Sequence, residues 1–374
     1  MTLVRTVHDR PDLHHGSHNK LLTDVPAQPH GRLDAIVVPT IKTPDALRDS
    51  LVLARSLGRP LVALCSKQAQ AEQSVTLGRQ FGAEVLAIDL HEARPQMPAF
   101  RTDAALAKAG FPSTSDLSLK RNLGLLIART AGWERILFLD DDIRGVYHEE
   151  LGGVAAILDS GRYRAVGLRN VGFPDNSVVC HAYRAIGATQ ASFIGGGSMI
   201  VNPQATRSFF PDVYNEDWFF LLGDDGPFRV ARSGRMMQRG FDPYANPRRA
   251  EDEEVGDTLA EGLYWLLDNG DRARVGDKAY WGDFLYRRRH FLEHILDEVE
   301  TIDIEERKRA QMIDSLKAAR GVSAFITPHL CDTFLQGWID DLGIWDAFLE
   351  RFPTTGETGK ALAELGLAHV ARNS

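Results

Sequence analysis

Ile136-Leu137-Phe138-Leu139 runs directly into Asp140-Asp141-Asp142, and this junction constrains the fold more than any composition can. Four consecutive apolar residues fit a strand buried on both faces. Three carboxylates then fall where such a strand must surface. Side chains two apart in an extended chain share a face, which puts Asp140 and Asp142 roughly 6.5–7 Å apart along the backbone. Two ionised carboxylates at that spacing repel by about 2.5 kcal/mol at an effective dielectric of about 20. A divalent cation turns that repulsion into binding. The alternative is an acidic turn left in water, where the repulsion falls below ~1 kcal/mol.

The segments before this junction alternate between two periods. Ala35-Ile36-Val37-Val38 is a short strand ending at Pro39-Thr40, and Leu47, Leu51, Ala54 and Leu57 then repeat at helical spacing up to Gly58. Leu61-Val62-Ala63-Leu64 ends at Cys65-Ser66, a helix covers about 68–81, and Val85-Leu86-Ala87-Ile88 follows. This β-α-β-α-β order predicts a parallel sheet with right-handed crossovers. Its ligand crevice lies at the carboxyl ends of the strands, so Pro39, Thr40, Ser66 and Asp89 line one edge. Residues 90–114 are proline-bearing and aperiodic, which predicts a surface loop. Ser115-Asp116-Leu117-Ser118 offers helix caps, and Lys120-Arg121-Asn122 sits in the first turns of the helix that follows. Cations there oppose the macrodipole by about 0.3–1 kcal/mol each, and a bound anion removes the mismatch; a solvated basic patch is the other reading.

Beyond the acidic triplet the pattern gives a helix near 149–160 and strands at Val166-Gly167-Leu168 and Val178-Val179-Cys180. Gly195-Gly196-Gly197-Ser198 lacks the GxGxxG spacing and opens no helix, so it is a poor dinucleotide fingerprint. It does permit close approach to the backbone, as a bulge or hairpin turn also would. Tyr214-Asn215-Glu216-Asp217-Trp218 reads as a helix start with Asn215 as N-cap and two acids in the first turn. Residues 223–250 read as loops, and from Glu251 onward the pattern is helical, with further helices over about 304–319, 328–350 and 357–371. The expected organisation is a flexible arm over residues 1–31, an α/β domain over 32–250 and a helical region over 251–374. The arm carries His8, His14, His15, His18 and His30 without regular ligand spacing.

A net charge of −8 argues against nucleic acid or an anionic membrane as the main partner. The three scattered cysteines form neither a metal spacing nor a disulfide framework, which predicts a reducing, cytoplasmic setting. No apolar run reaches the ~20 residues of a membrane span, and no signal-peptide core is evident at the N-terminus.

Taken in order, the opening strands, the basic helix start, LFLDDDI, the glycine run and NEDW resemble the GT-A glycosyltransferases of the family-2 type over roughly residues 33–220. The resemblance implies an α/β GT-A fold, a Rossmann-like nucleotide-diphospho-sugar transferase domain, with a helical C-terminal extension. It implies Mn²⁺ or Mg²⁺ held by Asp142 and Asp140. Pro39, Thr40 and Ser66 would face the nucleotide, Lys120, Arg121, Asp140 and Asp141 the diphosphate, and Gly196 the donor sugar. Asp217, with Glu216 second, would deprotonate an acceptor hydroxyl in an inverting transfer. His290 would be a late metal ligand, although His290 and His294 lie four apart without an HExxH glutamate. The donor would be a UDP-sugar before a GDP-sugar. The family often has an Asp near the position of Ser66 for the base, so its absence here leaves the base open. The acceptor is not specified, and the C-terminal helices would cap the site, bind acceptor or form a homodimer face. Other readings are a retaining transferase without a base, a noncatalytic nucleotide-sugar binder, and a DxDx(T/V) phosphatase, in which Arg144 stands where Thr or Val is expected. Sugar-phosphate nucleotidyltransferases open with a glycine- and arginine-rich loop that Val38-Pro39-Thr40-Ile41-Lys42 lacks.

Overall fold

A computed structural model describes residues 8–93, 95–223, 228–271, 276–367 and 370–373. Its strands are β1 (Thr23–Asp24), β2 (Ala35–Thr40), β3 (Leu61–Cys65), β4 (Val85–Asp89), β5 (Ile136–Leu139), β6 (Ile143–Arg144), β7 (Ala165–Asn170), β8 (Ser198–Val201), β9 (Val230–Gln238) and β10 (Val370–Asn373). The helices are α1 (Arg48–Leu57), α2 (Ala71–Phe81), α3 (Leu90–Ala93), α4 (Arg101–Lys108), α5 (Leu117–Ala131), α6 (His148–Ala155), α7 (Val178–Ala185), α8 (Glu216–Leu222), α9 (Arg248–Asp268), α10 (Lys278–Thr301), α11 (Glu306–Ser323), α12 (Pro328–Leu349) and α13 (Thr358–Glu364).

The strands join in one mixed sheet of order β1-β9-β7-β8-β5-β2-β3-β4-β10, with β6 paired to β9. Strands β5, β2, β3 and β4 run parallel, as the alternating pattern predicts. Their register sets Thr40 opposite Cys65 and Cys65 opposite Asp89, so the carboxyl ends form one edge. β8 runs antiparallel to β5, placing Ser198 against Leu139 and the glycine run beside the acidic triplet.

Side-chain alternation along β2 sends Ala35 and Val37 to one core and Ile36 and Val38 to the other. The first core is covered by α5, α9 and α12, the second by α1, α2 and α6. Each fully buried leucine or isoleucine on α5, such as Leu123 or Ile127, contributes about 1.5–3 kcal/mol. Gly132 ends α5 at φ 82°, a left-handed turn that hands the chain to β5.

Several expectations are corrected. Residues 90–114 contain α3 and α4, and residues 223–250 contain β9; Asp224, Asp225 and Gly226 lie outside the described residues. Val178-Val179-Cys180 opens a helix, capped by the Ser177 hydroxyl accepting from the Cys180 N–H at 3.3 Å. The predicted last helix stops at Glu364, and the chain returns as β10, antiparallel to β4. The residues expected as a free arm are packed from His8 onward: His14 and His18 are buried, and β1 pairs with β9. Across the expected boundary at residue 250, Val255, Leu259, Trp281 and Trp338 share a core with Val37 and Phe138.

Candidate active site

Leu139 ends β5 fully buried, and the backbone then turns, with the Ile143 N–H donating to the Asp140 carbonyl at 3.1 Å. The triplet is therefore a turn rather than the extended segment expected. Its side chains still diverge: Asp141 accepts from the Thr40 hydroxyl at 2.7 Å and from Lys42 at 2.5 Å, at the carboxyl edge of the parallel strands. Asp140 lines a cleft with Arg121, Asp175, the glycines 195–197, Glu216 and Asp217. Asp142 lines an adjoining cavity that shares Leu117, Tyr214 and Glu216 with that cleft.

Arg121 ties these pieces together. It is buried, donates through Nη2 to both Asp140 oxygens at 3.1 Å, and pairs through Nη1 with Glu216. Burial works against its charge, but Asp140, Glu216 and Asp217 outweigh it and hold the guanidinium charged. The anion predicted at this helix start is thus supplied by the protein itself. Lys120 is buried too, with Nζ donating to the Thr40 carbonyl at 2.9 Å and the Ser66 hydroxyl at 2.7 Å, and pairing with Asp116 at 2.9 Å. It straps the ends of β2 and β3 together instead of facing the cleft. Asp116 also accepts from the Ser66 hydroxyl, so a carboxylate does stand at the end of β3. Pro39 lies within β2, paired in register with Leu64.

Asp217 accepts from the Gly196 N–H at 2.5 Å and from the Trp218 N–H at 2.9 Å. Burial raises both Glu216 and Asp217 above the ordinary carboxylate range, with Arg121 opposing it. Asn215 does not cap by its side chain; it adopts φ 61°, ψ 32° and donates to Asp257 at 3.2 Å. A left-handed non-glycine residue directly ahead of two buried acids stores backbone strain of about 1–3 kcal/mol, which the surrounding packing must hold. The glycines leave room for charged side-chain ends. A Cβ at Gly195 would meet Asp175 at 2.6 Å, one at Gly196 would meet Arg121 at 2.6 Å, and one at Gly197 would meet Asp140 at 2.8 Å.

Asp175 was not anticipated. It follows Pro174 in the loop between β7 and α7, where only the Pro-Asp-Asn turn composition marks it. It lines the cleft and is exposed to solvent. Walling by the protein, together with Asp217, Asp140 and Asp142, pushes its carboxyl up. Gln238 links it to Asp142, donating to the Asp142 carboxylate at 3.4 Å. Burial and Asp140 likewise raise Asp142. Mutually raised carboxylates of this kind are hard oxygen donors that suit Mg²⁺ or Mn²⁺. Among the described residues no group of three close ligand atoms includes Asp140, Asp142 or Asp175. A Mg²⁺-type site commonly has one or two carboxylates and takes its remaining ligands from water and phosphate, so carboxylate chemistry of this kind is compatible with such an ion. His290 is elsewhere: half-exposed on α10, it pairs with Glu293 at 3.1 Å and is not among the residues lining the cleft. Sequence reasoning also missed Ser17 and His18, which the N-terminal segment contributes to the cleft wall.

No protein-family model matches the chain, and no curated protein does so significantly. Among solved structures the chain is similar to a mannosyltransferase from Pyrobaculum calidifontis in complex with GDP-mannose and Mn²⁺. The two are 13% identical, with 88% of this chain and 92% of that one covered, at a TM-score of 0.42. Among the described residues no helix is long and apolar enough to cross a membrane.

Proposed function

We propose that the protein is a divalent-metal-dependent glycosyltransferase of the GT-A type, moving a sugar from a nucleotide-diphosphate donor to an acceptor hydroxyl with inversion. One observation carries this reading. Arg121 joins the strand-end Asp140 to Glu216 in a single cleft, with the Gly196 backbone bridging to Asp217. Four segments distant in sequence meet there.

In this reading Mn²⁺ or Mg²⁺, when bound at Asp142 and Asp140 with Asp175 close by, supplies charge neutralisation for the departing diphosphate. Asp217 is the base. Glu216 is committed to Arg121, whereas Asp217 is held by two backbone N–H groups and still faces the cleft. Its carboxylate takes the hydroxyl proton as the acceptor oxygen bonds to the anomeric carbon. The bond from that carbon to the diphosphate breaks, and its electron pair leaves with the diphosphate. Trp218 and Phe193, tilted against each other at 60° with 5.1 Å between ring centres, give the acceptor side an apolar wall. Asp116 at the end of β3 is the carboxylate available to an N–H of uracil or guanine, so both UDP- and GDP-sugars belong in the test.

The test is incubation with UDP-, GDP- and dTDP-sugars and Mn²⁺, following nucleoside diphosphate release and thermal stabilisation. A binder of the native state raises the melting temperature. Metal-dependent stabilisation and turnover with one donor class are expected; neither effect with any donor overturns the assignment. If the acceptor is missing, slow donor hydrolysis still reports the chemistry.

A further inference from the structure

We propose that His15, His18 and Asp268 form a binding site for one zinc-class divalent ion that clips the N-terminal segment onto α9. It uses none of the residues assigned above to donor or transfer. The His15 Nδ1 lies 3.2 Å from the Asp268 Oδ2, and the His18 Nδ1 contacts the same oxygen. The three donor atoms lie within 4.8 Å of one another. Zinc bonds of about 2.0–2.1 Å in tetrahedral geometry set neighbouring ligand atoms about 3.3 Å apart. An ion of that geometry enters with donor-atom displacements on the order of 1 Å.

The outer contacts are those a metal site requires. Glu261 accepts from the His18 Nε2 at 3.0 Å, which fixes that proton and leaves Nδ1 as the ligand nitrogen. His15 is stacked on Trp265 at 3.7 Å, so its ring is already oriented. The Asp268 side chain has no exposed surface, yet its Oδ1 accepts no hydrogen bond; the Lys20 ammonium stands 3.5 Å away. That oxygen is held by a long ion pair alone, which leaves its hydrogen-bonding capacity for a further partner. About a fifth of the His15 side chain is open to solvent, which provides an entry path and room for water as a fourth ligand. Two imidazoles and one carboxylate suit zinc or cobalt better than magnesium. The neighbouring group His14, Cys180 and Glu261 is wholly buried, and its His14 Nε2 is occupied by Gln190 at 2.7 Å.

Clipping the segment also fixes Ser17 and His18 in the cleft wall.

The full chain, stripped with chelator and reloaded with zinc or cobalt, provides the test. One zinc per chain is expected to survive gel filtration, both in the unmutated protein and in Asp142→Asn. His15→Phe, which keeps the stacking on Trp265, and Asp268→Asn are each expected to lose it. Glu261→Gln is expected to weaken zinc about 10–100-fold, as outer-contact changes do. Absence of stoichiometric zinc, or unchanged zinc affinity in both ligand variants, overturns the proposal. The cobalt spectrum of the unmutated protein decides independently of whether variants fold: intense visible bands of a tetrahedral site are expected, and only the weak bands of an octahedral ion contradict it.

Discussion

A guanidinium with 3% of its side chain exposed is stable only because carboxylates on two other elements share it. Removing Arg121 would leave Glu216 and Asp140 facing each other without their cation. Arg121→Met is therefore expected to cost about 3–5 kcal/mol, read from the denaturation midpoint. Asp217→Asn keeps the size and removes the proposed base, so donor binding should persist while transfer falls about 10²–10⁴-fold; single-turnover kinetics with a matched donor titration separates the two. Burial raises Asp217, and the base must be deprotonated. The rate should fall as pH drops through a value above the ordinary aspartate of about 3.9, and the acid limb should vanish in Asp217→Asn. At this scale the sequence was partly legible. The charges of Arg121 and Asp140 stood out, and their order in the chain resembled a known pattern. The partners did not: nothing local shows that Lys120 is taken up by Thr40 and Ser66, that Asp141 turns to Lys42, or that Asp175 joins the acids. Those depend on which loops the sheet brings together.

At the scale of elements, α8 is short and its entry is held from outside. Gly256 on α9 lies so close to Tyr214 that a Cβ there would sit 2.1 Å from the Tyr214 carbonyl oxygen. Backbone cannot move aside as a flexible side-chain end can. Gly256→Ala is expected to destabilise by about 1–3 kcal/mol and, by shifting Asn215, to lower turnover more than donor affinity; steady-state kinetics and calorimetry check both. Strands β2 to β5 could be read because each is a short β-branched or leucine-rich run between turn signals. Val178-Val179-Cys180 misled for the same reason: a short apolar run does not distinguish strand from helix. What decided it was Ser177, a cap whose role shows only once Asp257 accepts its hydroxyl at 2.9 Å. The start of β10, Val370 and Ala371, fell within the predicted last helix, because the strand's pairing partner is almost three hundred residues away in the chain.

At the scale of the molecule, the helical C-terminal region and the sheet share one core, and the N-terminal segment is pinned across both. Gly16 approaches Thr189, Arg10 donates its backbone N–H to the Tyr183 hydroxyl at 2.9 Å, and β1 extends the sheet beside β9. Deleting residues 1–24 is expected to lower the melting temperature and to open the cleft wall, with weaker acceptor use; scanning calorimetry and acceptor KM report these separately. Polar composition hid this segment, since a histidine-rich stretch resembles a solvated arm until α9 supplies Glu261, Trp265 and Asp268 opposite it. The central claim is that the acidic turn after β5 holds an ion that serves a leaving diphosphate. It is tested most directly by electron paramagnetic resonance of Mn²⁺ titrated into the protein with UDP or GDP. The account predicts one bound ion whose affinity rises with the nucleotide and is lost in Asp142→Asn. Manganese binding that ignores the nucleotide, or survives that substitution unchanged, would contradict it.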